Sequence, residues 1–185
     1  IKAYTELSGT PFPEVFHTNE GHAGFLGLER VNDFIGSGLD FAAALQVTRA
    51  ATVFTTHTPV PAGIDRFDDD LVHRYLGSWA RRHRIPEAEL LALGRMPSDP
   101  PGVFNLAAFC LRLTGRANGV SQLHGGVSRD LFAGIEGGDR IFAVTNGVHA
   151  RSWVRRELQE RFDAAMGPRW ATGDASAWAG IEGIP

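Results

Sequence analysis

Histidine, asparagine and glutamate gather in a few short stretches of this sequence. His17, Asn19, Glu20 and His22 lie close together, His57 and Thr58 follow a β-branched run, His124 follows Asn118-Gly119-Val120-Ser121, and Asn146 precedes Gly147. Donors and acceptors of this kind, with no strong nucleophile among them, suit a hydroxyl-rich ligand such as a sugar. Other chemistries fit less well. His17, Glu20 and His22 are metal-ligand types, but they lack the i, i+4 spacing of a helical zinc motif and no cysteine accompanies them, so no metal site is expected. Cys110 sits mid-helix among apolar residues and reads as core. Ser121 and Ser128 lack the surroundings of an activated nucleophile. Asp68, Asp69 and Asp70 read as a solvated helix start. Gly125-Gly126, Gly134 and Gly137-Gly138 form no phosphate-cradling motif. Trp79 and Phe109 recur at helical spacing and read as core.

Each loop residue also has a plainer reading. Asn19 and Asn146 can be turn residues, since asparagine tolerates left-handed backbone. His22 can be a helix-start residue and His57 a satisfied loop histidine. What favours function is their placement. Strands are expected at 15–18, 51–55, 117–121 and 141–144, and each runs straight into one of the polar stretches. Helices are expected at 25–34, at 41–47 behind the capping-box-like Ser37-Gly38-Leu39-Asp40, from Asp68 to a basic end at Arg81-Arg82-His83-Arg84, and at 87–93, 104–113, 127–132 and 155–166. Residues 122–126 read as a loop, and 167–185 are weakly patterned. Strands alternating with helices give an α/β architecture with a mostly parallel sheet. In such sheets ligands bind beyond the carboxyl ends of the strands, so all the polar loops would share one edge.

The 185 residues are 43% hydrophobic and 21% charged, a globular balance, and the net charge of −3 argues against a nucleic-acid or anionic-membrane surface. No apolar run approaches the roughly 20 residues that cross a bilayer. The single cysteine excludes an internal disulfide and points to a reducing, cytoplasmic setting. Lys2 is the only lysine, so 17 of the 18 basic residues are arginine. The chain opens on Ile1-Lys2-Ala3-Tyr4 and stops at Gly183-Ile184-Pro185, which reads as an internal piece of a longer protein.

Four ordered blocks resemble the α-glucan phosphorylases, the glycogen or maltodextrin phosphorylase family, in their bacterial form. They are His17-Thr18-Asn19-Glu20-Gly21-His22-Ala23-Gly24-Phe25; Thr52-Val53-Phe54-Thr55-Thr56-His57-Thr58-Pro59-Val60-Pro61-Ala62-Gly63; Asn118-Gly119-Val120-Ser121-Gln122-Leu123-His124 with Val127-Ser128-Arg129; and Val144-Thr145-Asn146-Gly147-Val148-His149. The resemblance implies a two-domain GT-B glycosyltransferase with Rossmann-like halves and the active site in the cleft between them. Residues 1–166 would be the latter part of the N-terminal half, and 167–185 the start of an unassigned connecting segment. It implies phosphorolysis, with inorganic phosphate taking the terminal α-1,4-linked glucose of a glucan as glucose 1-phosphate with retention, and pyridoxal phosphate as the cofactor.

Carried over position by position, the resemblance makes Glu20 an acidic residue lining the sugar pocket and His22 a pocket histidine. His57 matches the histidine near the glucosyl 6-hydroxyl, whose carbonyl can help stabilise oxocarbenium character. Val120 and Asn146 match positions touching the same sugar. The pyridoxal-bearing lysine and the phosphate-holding basic residues belong to motifs absent here, and Lys2 lies in no matching motif. The connection at 133–140 is shorter than the family's. On this reading the isolated chain is inactive, the missing C-terminal domain is a partner, and the intact protein is compatible with a homodimer. Two rival readings are a non-catalytic glucan-binding module and a nucleotide-sugar-dependent glucan synthase.

Overall fold

The structure, a computed structural model, describes residues 1–183, so Ile184 and Pro185 of the expected 167–185 segment lie outside the described residues. The chain divides into two units, Ile1–Thr145 and the residues from Asn146 onward. In the first unit the strands are β1 (Phe16–Asn19), β2 (Thr52–Thr56), β3 (Arg66–Asp68), β4 (Val103–Asn105), β5 (Arg116–Gly119) and β6 (Phe142–Ala143). Its helices are α1 (Lys2–Ser8), α2 (Phe25–Gly36), α3 (Phe41–Ala50), α4 (Asp69–Arg82), α5 (Glu87–Ala92), α6 (Leu106–Arg112) and α7 (Gln122–Leu131).

β-Branched and aromatic residues favour a half-buried pleated surface, and Thr52-Val53-Phe54-Thr55-Thr56 supplies five in a row. This β2 strand is central. The sheet order is β1-β2-β5-β6, all parallel, as expected from the alternation of strands and helices. Parallel order puts the carboxyl ends of all four strands along one edge. β3 and β4 form a separate antiparallel ribbon. Because side chains alternate, Phe16, Thr18, Phe54 and Thr56 turn to the inner face, and His17, Asn19, Thr55, Asn118 and Phe142 share the other.

Apolar packing is organised around α6, whose residues 106–111 are all buried. Ala107, Ala108 and Leu111 join Phe54, Ala117, Phe132 and Ile141 in one cluster. Leu106 and Phe109 join Leu28, Leu90 and Phe104 in a second. A helix enclosed on all sides is apolar all round, which explains its unbroken hydrophobic run.

Several boundaries differ from expectation, each for a local reason. The cap of α3 is Asp40, whose carboxylate accepts the Ala43 N–H at 2.8 Å, and not Ser37. Ser37 instead closes α2, its hydroxyl donating to the Asp33 and Phe34 carbonyls. Phe104 and Asn105 are strand residues paired with Phe67 and Arg66. Asn105 then caps α6, its Oδ1 accepting from the Ala107 and Ala108 N–H groups at 3.0 Å each. Residues 122–126 are helix, not loop: Ser121 caps α7 by accepting the His124 N–H at 3.0 Å. Gly125 serves close approach, because a Cβ on it would lie 3.0 Å from the Ala143 Cβ.

The second unit contains α8 (Ala150–Trp153) and α9 (Arg156–Met166), followed by 3₁₀ turns. The segment from Gly167 is better ordered than its sequence suggests. Trp170 is buried and meets Phe162 and Trp178 edge-to-face, and its indole N–H donates to Asp163 at 2.8 Å. Asp163 also holds Arg151 at 2.7 Å.

Candidate functional site

The carboxyl ends of β1 and β2 are tied together by one side chain. Glu20, the first residue beyond β1, donates its N–H to the Thr55 carbonyl at 3.0 Å, which extends the ladder by one bond. Its φ is +57°, a left-handed value unusual for a residue with a side chain. Such backbone costs about 1–3 kcal/mol and persists where surrounding contacts over-determine it. Those contacts are present. One carboxylate oxygen accepts the His57 N–H at 2.6 Å and the other accepts the Thr56 hydroxyl at 3.3 Å. The first is short, as a charged acceptor makes such bonds. The turn in the backbone therefore aims the carboxylate across to β2 and fixes the main chain from which the His57 side chain projects.

Cys110 supports the same turn from below. Its thiol donates to the Gly21 carbonyl at 3.2 Å, and a Cβ on Gly24 would lie 2.5 Å from its sulfur. Burial, and after it the Glu20 charge, push the thiol pKa up to about 12, so it is an inert prop and not a nucleophile. The sequence placed Cys110 correctly in the core but held no sign of this role, because the contact joins residues far apart in the chain.

A line of polar groups crosses the open sheet face just behind this edge. His17 Nε2 lies 2.6 Å from the Thr55 hydroxyl, which donates to Asn118 Oδ1 at 2.9 Å. Thr55 and Asn118 are buried, so each needs its partner. On the exposed side, the His57 ring nitrogen Nε2 lies 3.4 Å from Asn19 Oδ1. Asn19, Glu20 and His57 thus form one hydrogen-bonded cluster. His22 is exposed in the 3₁₀ turn Gly21–Gly24 that follows.

Val120 lies at the end of β5, where its N–H donates to His124 Nδ1 at 3.2 Å. That bond leaves Nδ1 without its proton and places the proton on Nε2 of a neutral ring, while Nε2 is buried with no partner among the described residues. Gly119 is required beside it, because a Cβ there would lie 2.8 Å from His124 Nδ1. The sequence had grouped His124 with the loop residues, whereas it is a buried helix residue that shapes the Val120 turn. Asn146 opens the second unit, exposed, with no side-chain hydrogen bond described. The structure therefore groups Glu20, His57 and Asn19, places His22 and Val120 on elements that continue the same sheet edge, and leaves Asn146 in a separate unit.

Among the described residues, no three His, Cys, Asp or Glu side chains come together as a metal site. Nor does any helix have the length and apolarity to cross a membrane. Lys2 does not suit a pyridoxal group. Its ammonium is held by Glu29 and Asp33 of α2 at 2.7 Å each, and those bonds raise its pKa.

Comparison with known proteins gives this edge a context. No family profile matches the chain. Glycogen phosphorylase from Mycobacterium tuberculosis is 51% identical over 166 residues, covering 83% of this chain and 19% of that protein. Maltodextrin phosphorylase from Thermococcus litoralis is 36% identical over 180 residues, covering 94% of this chain and 21% of its own length. Glycogen phosphorylase from Aquifex aeolicus is 29% identical over 174 residues, covering 92% and 25%. The chain spans about a fifth to a quarter of the curated relatives it matches. Within that span, this chain belongs to the glycogen and maltodextrin phosphorylase family.

Proposed function

We propose that this chain is part of an α-glucan phosphorylase and supplies the sugar-binding side of its active site. The reaction is transfer of the terminal α-1,4-linked glucosyl unit of glycogen or maltodextrin to inorganic phosphate, giving glucose 1-phosphate. One observation carries the reading for these residues: the strained Glu20 turn, whose carboxylate grips the His57 N–H at 2.6 Å. Strain held in place at the carboxyl edge of a parallel sheet is a mark of a working site.

In this reading His57 meets the glucosyl unit near its 6-hydroxyl, and its carbonyl faces positive charge developing at the anomeric carbon. Glu20 fixes that main chain and lines the pocket, while His22 and Val120 add further sugar contacts. None of these groups needs to exchange a proton covalently; they orient and they stabilise charge, effects that act through a preorganised site. Pyridoxal phosphate would contribute an acid–base phosphate group, held by residues outside this chain, since Lys2 does not fit it.

The reading places residues 1–166 in the latter part of the N-terminal half of a GT-B enzyme, with 167–185 leading onward and the C-terminal domain as the partner that completes the site. It places the enzyme in the cytoplasm. The test is phosphate-dependent release of glucose 1-phosphate from maltodextrin by the intact protein that contains this chain, loaded with pyridoxal phosphate, beside the 185-residue chain alone. Activity in the first and none in the second is expected. Transfer from a nucleotide-glucose donor without phosphorolysis would make it a glucan synthase, and glucan affinity without either reaction a binding module.

A further inference from the structure

At the opposite edge of the same sheet lies a cleft that the glucan reading does not use. Its volume is about 410 Å³, and Arg49, Arg116, Arg140, Glu136, Leu111 and Phe142 are among its walls. Arg49 stands near the end of α3, Arg116 is the first residue of β5, and Arg140 and Phe142 flank the entry to β6. Gly115 sets the spacing: a Cβ there would lie 2.8 Å from the Arg49 carbonyl oxygen, so the chain entering β5 packs directly against the end of α3.

Three guanidinium groups face one carboxylate. Arg49 bonds Glu136 at 2.9 Å, whereas the guanidinium groups of Arg116 and Arg140 have no hydrogen bond or ion pair among the described residues. The cleft therefore holds a surplus of two positive charges in a chain whose net charge is −3. Guanidinium presents a planar fork of donors that matches phosphate oxygens, and a phosphomonoester carries about −1.5 to −2 charges at neutral pH. Phe142, exposed on the same sheet face as Arg116, adds an aromatic wall against which the apolar face of a sugar ring can lie.

We propose that this cleft binds a sugar phosphomonoester, with Arg116 and Arg140 on the phosphate and Phe142 against the ring. The inference does not depend on the glucan reading, and it is tested on this chain itself by calorimetry with ribose 5-phosphate, ribose and inorganic phosphate. Ribose 5-phosphate is expected to bind more tightly than inorganic phosphate, and ribose not to bind. Arg116→Gln and Arg140→Gln should each weaken ribose 5-phosphate roughly tenfold, the scale of one charged hydrogen bond. Phe142→Ala should weaken ribose 5-phosphate while leaving inorganic phosphate unchanged. Both arginines are exposed, so the variants should melt at the wild-type temperature, which separates lost binding from lost fold. Binding of ribose 5-phosphate that survives both arginine substitutions, or its absence in the wild-type chain, overturns the proposal. Equal affinity for inorganic phosphate overturns the sugar half of it.

Discussion

The two edges of the parallel sheet manage charge in opposite ways. At the carboxyl edge the Glu20 carboxylate is engaged on both oxygens, accepting from the His57 N–H and the Thr56 hydroxyl, and Asn19 and His57 stand beside it as hydrogen-bonding groups. At the amino edge the cations outnumber the carboxylate: Arg49 bonds Glu136, Arg140 acts on it only through space, and the Arg116 guanidinium makes no hydrogen bond or ion pair among the described residues. The first edge stores strain to fix a geometry. The second keeps charge uncommitted and fixes little. A neutral hydroxylated ligand needs placement, and an anion needs charge, so the difference teaches what each edge can recognise.

The comparison breaks most visibly at His57. In the intact protein His57→Ala should lower turnover by about 100-fold or more, the scale of losing a preorganised electrostatic contact, with glucose 1-phosphate release as the measurement. Near-normal turnover would remove His57 from the site. Next comes Glu20→Ala, which deletes two hydrogen bonds to a charged acceptor while keeping the left-handed backbone; chemical denaturation of the chain should show a loss of about 2–3 kcal/mol. Glu20→Gly should cost less by roughly 1 kcal/mol, because glycine relieves the backbone while losing the same bonds. If alanine and glycine cost the same, the φ of +57° stores nothing.

Thr55→Val removes the hydroxyl between His17 and Asn118 and strands a buried amide oxygen, for a loss of about 1–2 kcal/mol in the same assay. The smallest effect belongs to the amino edge. Glu136→Gln breaks an ion pair whose carboxylate side chain is 65% exposed, so solvent screening holds the change within about 0.5 kcal/mol. Arg49 holds the Glu136 pKa below its ordinary 4.5, so that small contribution is present above pH 4.5 and is lost as pH falls through the folded-state value. A stability curve for the wild type minus Glu136→Gln should therefore converge in acid; a difference that grows in acid would contradict the sign.

Much of this was legible in the sequence. The four strands and the placing of their polar ends on one edge follow from β-branched runs that stop at His, Asn or Glu, a signal that needs only neighbouring residues. What escaped depends on distant partners. Phe104 and Asn105 read as the start of a helix because the strand they pair with, at Arg66–Asp68, lies nearly forty positions earlier and is only three residues long. Ser37 has the look of an N-cap, but Asp40 is nearer to the helix it serves. Gly125-Gly126 suggested a loop because glycine weakens helices, while here its small size admits β6. Glu20 was named for its chemistry, yet its left-handed backbone has no sequence signal, since glutamate rarely adopts it. The aromatic packing of Trp170 and Trp178 was hidden because 3₁₀ turns carry no long period.

The bond from Thr55 to Asn118 spans 63 positions, and the helices α4, α5 and α6 with the β3–β4 ribbon all lie between its ends. Contacts of such separation pay their loop-closure cost before they return any stability, which slows folding. During synthesis, β1 and β2 can pair as soon as they emerge, but the third strand arrives only after that whole excursion has been made. The Asn118 and Val120 side of the edge is thus assembled after the Glu20–His57 clamp, with β6 later still, and a chain released before residue 116 would carry the clamp without the neighbour that completes it.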